Sequence, residues 1–241
     1  MRLQAGQALL IFDLDGTLID SRADLVQSVN GALQELGRAP LPEAIVGANV
    51  GDGAALLMQR SLGLAPPPDR SRPPQPAPAL SEADAALSAR AVELFLVYYA
   101  AHKLDFTVLY PGVEPGLRAL AAAGARLAVL TNKPVRPSQE IVAHLGIAGL
   151  LAAVYGGNSF EQKKPDPVGI HTLLQECRAE PRQTVMIGDS AVDVLAGRNA
   201  GTWTAGVSYG FAPESLRLQP PDWQADTFAE LTAGLLAAMK K

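Results

Sequence analysis

The segment Leu9-Leu10-Ile11-Phe12-Asp13-Leu14-Asp15-Gly16-Thr17-Leu18 constrains this chain more than any other. Its apolar run leaves no polar face, which predicts a short strand covered on both sides. Two aspartates follow at its C-terminal end, two positions apart, and the strand period of two puts their carboxylates on one side. Gly16 then permits a tight turn and a close backbone approach. Carboxylates at a buried strand end are costly unless a cation or hydrogen-bond donors neutralise them. Taken alone, the Asp-Leu-Asp triplet also fits a polar turn after a strand.

The rest of the chain alternates between helical and strand patterns, with one long exception. Ser21, with Asp24 three positions on, predicts a capped helix start, and Leu25, Val29, Ala32, Leu33 and Leu36 recur at helical spacing. Further helices are expected from about Pro42, from Asp52-Gly53 to near Gly63, and from a Ser81/Asp84 cap to about His102. Residues 65–79 are proline-rich and preclude regular helix or sheet; they read as a stiff surface loop, with an SH3-type ligand as the alternative. Residues 20–105 therefore form one all-helical insert. From Tyr110 the pattern becomes strand–helix–strand, with strands at 126–130, 152–155, 184–188 and 203–207. Helices are expected at 112–123, 137–145, up to about Arg178, at 191–200, and at the tail from Phe228 to Lys241. Short apolar strands joined by helices imply right-handed crossovers and a Rossmann-like, mostly parallel sheet built from residues 1–19 and 106–241. In such sheets ligands sit at the carboxyl ends of strands.

At 241 residues the chain has room for a core and an inserted lobe. Its net charge of −4 carries no signature of a nucleic-acid or anionic-membrane partner. The one cysteine, Cys177, cannot form an intrachain disulfide, and no stretch approaches a membrane span or a secretory leader, so the expected location is the cytoplasm.

Phe12-Asp13-Leu14-Asp15-Gly16-Thr17-Leu18 resembles the first signature of the haloacid dehalogenase superfamily, which is mostly phosphatases. Three later stretches resemble the remaining signatures in order: Thr131-Asn132, Lys163-Lys164-Pro165-Asp166-Pro167, and Gly188-Asp189-Ser190-Ala191-Val192-Asp193. The resemblance implies an α/β core with a helical C1 cap, and phosphoryl transfer at one site. It makes Asp13 the nucleophile and Asp15 the acid and base, although the residues by themselves leave open which aspartate attacks. Thr131 and Asn132 would hold a phosphoryl oxygen. Lys164, placed directly before Pro-x-Pro as in the phosphoglycolate phosphatase branch, would neutralise the nucleophile and a phosphate oxygen. Asp13, the main-chain carbonyl of Asp15, and Asp189 would bind Mg2+, with Asp193 orienting metal-bound waters or Lys164.

The stretches 50–63, 98–113, 131–134 and 207–211 resemble the phosphoglycolate phosphatase branch more narrowly. This implies hydrolysis of 2-phosphoglycolate, a small phosphorylated metabolite. Within the insert, Arg60 is the candidate partner for a substrate carboxylate, because guanidinium pairs bidentately with it; a solvated helix residue is the alternative. Other readings on the same scaffold are a sugar phosphatase, a pyrophosphatase or a phosphoglucomutase, and outside enzymes a binding module recruiting through the proline-rich stretch. The oligomeric state is left open.

Overall fold

The computed structural model describes residues 2–68 and 79–239. In chain order its elements are β1 (Leu9–Phe12), β2 (Ile19–Asp20), α1 (Arg22–Glu35), α2 (Glu43–Asn49), α3 (Ala54–Ser61), α4 (Glu82–His102), β3 (Val108–Leu109), α5 (Val113–Ala122), β4 (Arg126–Leu130), α6 (Val135–His144), β5 (Leu151–Tyr155), α7 (Val168–Glu176), β6 (Thr184–Gly188), α8 (Ala191–Asn199), β7 (Trp203–Val207), β8 (Trp223–Ala225) and α9 (Phe228–Met239). The chain divides into two compact units, Met1–Asp20 with Leu109–Lys241, and Ser21–Val108.

In the first unit six strands form one parallel sheet in the order β5-β4-β1-β6-β7-β8. Numbered along the sheet strands alone, this is the 3-2-1-4-5-6 order of doubly wound folds, so the direction of winding reverses between β1 and β6. All four β1 side chains are fully buried, worth about 1.5–3 kcal/mol each. Leu9 and Ile11 face a cluster with Leu130, Ile170, Leu173, Met186 and Ala196, which α7 and α8 complete. On the other face Phe12 meets Phe228 of α9, with ring centroids 6.0 Å apart. Covered on both sides, β1 has no use for alternating polarity, which is why its sequence is continuously apolar.

The Ser21–Val108 unit carries α1 to α4 among its described residues. A side chain at Gly31 of α1 would strike the Tyr98 ring of α4, so these two helices approach at van der Waals contact. The expected cap at the start of α1 is corrected here. Ser21 holds the cap position, but its side chain makes no capping bond. Asp24, fully buried, instead accepts from the Phe106 and Thr107 amides at 3.0 and 2.9 Å and from the Thr107 hydroxyl at 2.6 Å. A carboxylate with no access to water takes the richer donor set. The Ser81 cap of α4 forms as expected, its hydroxyl accepting from the Asp84 amide.

Several elements differ from expectation. Helix α6 begins at Val135 rather than Pro137, since a proline in the first turn lacks only an amide that has no helical partner there. Helix α7 ends at Glu176, before the chain turns through a positive φ of 47° at Arg178. The edge strand β8 was not expected, being three residues long after Pro220-Pro221. Of the proline-rich stretch, residues 69–78 lie outside the described residues, as do Lys240 and Lys241 of the tail. No described helix is long and apolar enough to cross a membrane.

Candidate active site

Asp13 follows β1 directly and Asp189 follows β6 directly, so the pairing of these two strands brings both carboxylates to the reversal point of the sheet. The Asp13 amide continues the ladder by donating to the Ile187 carbonyl at 2.8 Å. Between Asp13 and α8 lies Lys164, whose side chain is 2% exposed. Its ammonium is 3.0 Å from Asp13 Oδ1 and 2.6 Å from Asp193 Oδ1. Lys163, its neighbour, faces outward.

Asp193 serves two structures at once. As the third residue of α8 it closes a capping box, accepting from the Ser190 hydroxyl at 2.7 Å and the Ser190 amide at 3.2 Å through Oδ2. Its other oxygen takes Lys164. Asp189 is held by a loop after β7: its Oδ2 accepts from the amides of Phe211 and Ala212 at 2.5 and 3.1 Å. A methyl group at Gly16 or at Gly210 would overlap the Asp189 side chain, and Gly16 itself has a φ of +78°. The loop is tied back by the Tyr209 hydroxyl, which donates to the Thr17 carbonyl at 2.8 Å.

Carboxylate oxygens of Asp13, Asp189 and Asp193 lie within 4.8 Å of one another, a group able to hold a metal ion. The electrostatics point the same way. Burial, with Asp193 and Asp13 nearby, pushes Asp189 up to about 7 against the pull of its two amide donors. Burial also pushes Asp13 up to about 6, with Lys164 pulling it down and Asp193 pushing it further up. Burial works against the Lys164 ammonium, but Asp13 and Asp193 outweigh it and its pKa is raised. One lysine thus pairs with two of three closely grouped carboxylates, Asp189 and Asp193 buried and Asp13 half-buried, and a hard all-oxygen donor set with surplus negative charge fits a small divalent cation.

Asp15, two residues beyond Asp13, points to a different cation. Lys133 Nζ donates to both of its carboxylate oxygens at 2.9 Å. Lys133 stands just past the end of β4, in the turn that also carries Thr131 and Asn132. Thr131 Oγ1 accepts from the Lys133 amide at 3.3 Å, and Asn132 Nδ2 donates to the Lys164 carbonyl at 3.1 Å. The turn lies against Gly156 and Gly157, where any side chain would overlap the backbone of residues 132–135. Beside Asp15, the Thr17 hydroxyl is buried and has no hydrogen-bond partner among the described residues.

Of the residues singled out from sequence, Asp13, Asp15, Thr131, Asn132, Lys164, Asp189 and Asp193 all belong to the first unit; all but Asp193, in the first turn of α8, lie at carboxyl ends of its strands or in the loops that follow. Arg60 belongs to the other unit and is neither solvated nor uncommitted. Its Nη1 is 2.6 Å from Asp52 Oδ2 and donates to the Asn49 carbonyl, while Nε donates to the Pro66 carbonyl. The sequence pattern did not single out Lys133 or the amides of Phe211 and Ala212. Two consecutive cationic or polar positions after a strand neighbouring β1 are the only local signal for Lys133, and backbone donors leave none.

Comparison with known proteins identifies the lineage. A family model described as haloacid dehalogenase-like hydrolase matches residues 8–201. The chain belongs to the haloacid dehalogenase-like hydrolases. It is 38% identical over 236 residues to a phosphoglycolate phosphatase of Colwellia psychrerythraea, covering 98% of this chain and 99% of that one. A phosphoglycolate phosphatase of Haemophilus influenzae is also 38% identical, over 92% of this chain and 96% of the relative. Among solved structures, a predicted phosphoglycolate phosphatase from Haemophilus somnus superposes with a TM-score of 0.82 at 32% identity, covering 96% of this chain and 99% of that chain. These members of the hydrolase family match the chain nearly end to end, so the similarity takes in both units.

Proposed function

We propose that this phosphatase hydrolyses 2-phosphoglycolate to glycolate and phosphate through an aspartyl-phosphate on Asp13, with Mg2+ as its metal. The observation that carries the phosphoryl-transfer chemistry is the buried Lys164 spanning Asp13 and Asp193 beside Asp189, at the reversal point of the sheet. The choice of substrate rests on the full-length relatives.

In this reading an Asp13 oxygen attacks phosphorus while the bond from phosphorus to the glycolate oxygen breaks, and Asp15 gives its proton to the departing oxygen. Water then attacks the aspartyl-phosphate; Asp15 takes the proton from that water, and Asp13 leaves as carboxylate. Lys164 keeps Asp13 available as an anion next to a phosphate dianion. Thr131 and Asn132 hold a phosphoryl oxygen. Asp13, the Asp15 carbonyl and Asp189 would hold the ion, and Asp193 fixes Lys164. Magnesium bound there would supply positive charge that lets two anions approach. The Ser21–Val108 unit corresponds to a C1 cap.

The test is phosphate release over a panel of phosphoesters with added magnesium. The expected result is a kcat/KM for 2-phosphoglycolate at least about tenfold above glucose 6-phosphate, β-glucose 1-phosphate and pyrophosphate, roughly 1.4 kcal/mol of transition-state preference. A hexose phosphate or pyrophosphate in first place would end the phosphoglycolate reading and leave the phosphatase intact.

A further inference from the structure

Lys133 is the cation of this site that has no part in the chemistry above. Its side chain is 3% exposed and its ammonium lies equally close to both oxygens of Asp15, whose side chain is 14% exposed. Its backbone is fixed, since its carbonyl accepts from the Gly157 amide at 2.8 Å and its own amide reaches the Thr131 hydroxyl. A buried ammonium on a rigid turn is a standing site for a carboxylate, and in this structure the carboxylate it holds is that of Asp15.

The position of that site relative to a bound phosphoester follows from Asp15. A general acid lies within about 2.6–3.2 Å of the oxygen it protonates, so Asp15 marks the ester oxygen. In 2-phosphoglycolate a single methylene separates that oxygen from the carboxylate. The substrate carboxylate therefore arrives in the neighbourhood that Lys133 shares with Asp15. Lys164 is clasped by Asp13 and Asp193, and Arg60 is bound to Asp52, Asn49 and Pro66 within its own unit.

We propose that Lys133 is the specificity-determining residue for phosphoesters bearing a carboxylate next to the ester carbon, and that the substrate carboxylate displaces Asp15 from its ammonium. Displacement does two things together. It binds the second anion of the substrate, and it frees the Asp15 carboxyl group to meet the ester oxygen. An uncharged leaving group lacks the means to do either. This inference rests on the phosphoglycolate reading but assigns the selectivity to one side chain.

The experiment compares 2-phosphoglycolate with ethyl phosphate, which replaces the carboxylate by a methyl group, in the wild type and in Lys133→Met. Both substrates need the same machinery, so the ratio of their kcat/KM values isolates the carboxylate. The ratio should exceed about tenfold in the wild type and collapse toward one in Lys133→Met, with Lys133→Arg between them. The second measurement is binding of 3-phosphonopropionate against propylphosphonate, which involves no proton transfer. Asp15→Asn should tighten 3-phosphonopropionate alone by at least about threefold, because it removes the competing carboxylate. The double variant Asp15→Asn/Lys133→Met, which buries no unpaired charge, should lose that gain; binding is read by calorimetry since neither Asp15 variant turns over. A preference that survives in folded Lys133→Met, or an Asp15→Asn variant that binds the two phosphonates no differently from wild type, overturns this inference alone. A wild type that does not favour 2-phosphoglycolate over ethyl phosphate overturns it together with the phosphoglycolate reading.

Discussion

Replacing Lys164 by methionine removes the ammonium that lies 3.0 Å from Asp13 and 2.6 Å from Asp193 while keeping most of the side-chain volume. At an effective dielectric of about 20, each contact is worth roughly 5–6 kcal/mol of gross attraction, most of which is offset by burying the charges. What remains after truncation is a buried group of carboxylates without their lysine, a loss of about 3–5 kcal/mol. The loss should depend on pH in a defined direction. Asp13 already sits at about 6, above the ordinary carboxylate value, and its Lys164 contact is what holds it down. Without the lysine it rises further, so the folded variant takes up protons that the unfolded chain releases. A carboxyl group raised in the folded state regains stability as pH falls from its folded pKa toward its unfolded one. Urea unfolding in EDTA should therefore show the full deficit near pH 8 and a deficit smaller by at least about 1 kcal/mol near pH 5. A deficit under about 1 kcal/mol near pH 8, or one that does not change with pH, would refute the account of Lys164 as the counterion of this cluster.

Asp13→Asn should lower phosphatase turnover by on the order of 4 kcal/mol or more in activation free energy while the fold is retained; activity within tenfold of wild type means another group attacks. In the metal-free chain, Asp189 at about 7 and Asp13 at about 6 hold protons that the unfolded chain gives up, so stability should fall as pH rises from about 4 to about 7. Magnesium should accordingly raise the melting temperature more near pH 8 than near pH 5.5, and Asp189→Ala should abolish that shift; an equal shift at both pH values counts against the cluster as the metal site. Asp24→Ala leaves the amides of Phe106 and Thr107 and the Thr107 hydroxyl without their acceptor, and should cost about 3 kcal/mol or more in differential unfolding.

The strands at 9–12, 126–130 and 184–188 were legible because burial on both faces writes itself as runs of consecutive apolar residues, here 9–12, 127–130 and 185–187. So were the carboxylates and Lys164, whose chemistry is rare enough at strand ends to stand out once four stretches agree in order. What escaped reading is made of contacts between distant positions. The Lys133–Asp15 pair joins residues 118 positions apart, and nothing around Lys133 announces its partner. The amides of Phe211 and Ala212 hold Asp189 with groups that every non-proline residue possesses. Ser21 and Asp24 have the spacing of a capping box, but burial gives Asp24 better donors 82 and 83 positions away. Guanidinium does pair with a carboxylate at Arg60, but that carboxylate is Asp52, in the same unit.

The bond from the Tyr209 hydroxyl to the Thr17 carbonyl joins positions 192 residues apart, and β1 reaches β6 only after most of the chain has been laid down. During synthesis from the N-terminus, Asp13 and Asp15 emerge first and wait while the helices of Ser21–Val108, then β4 and β5, are made. Their acidic partner Asp189, and the loop that orients it, arrive after all of these. A chain arrested before residue 189 has Asp13 and Asp15 without the other two carboxylates of the cluster. The carboxylate group is therefore assembled late, once β6 has paired with β1 and the loop after β7 holds Asp189.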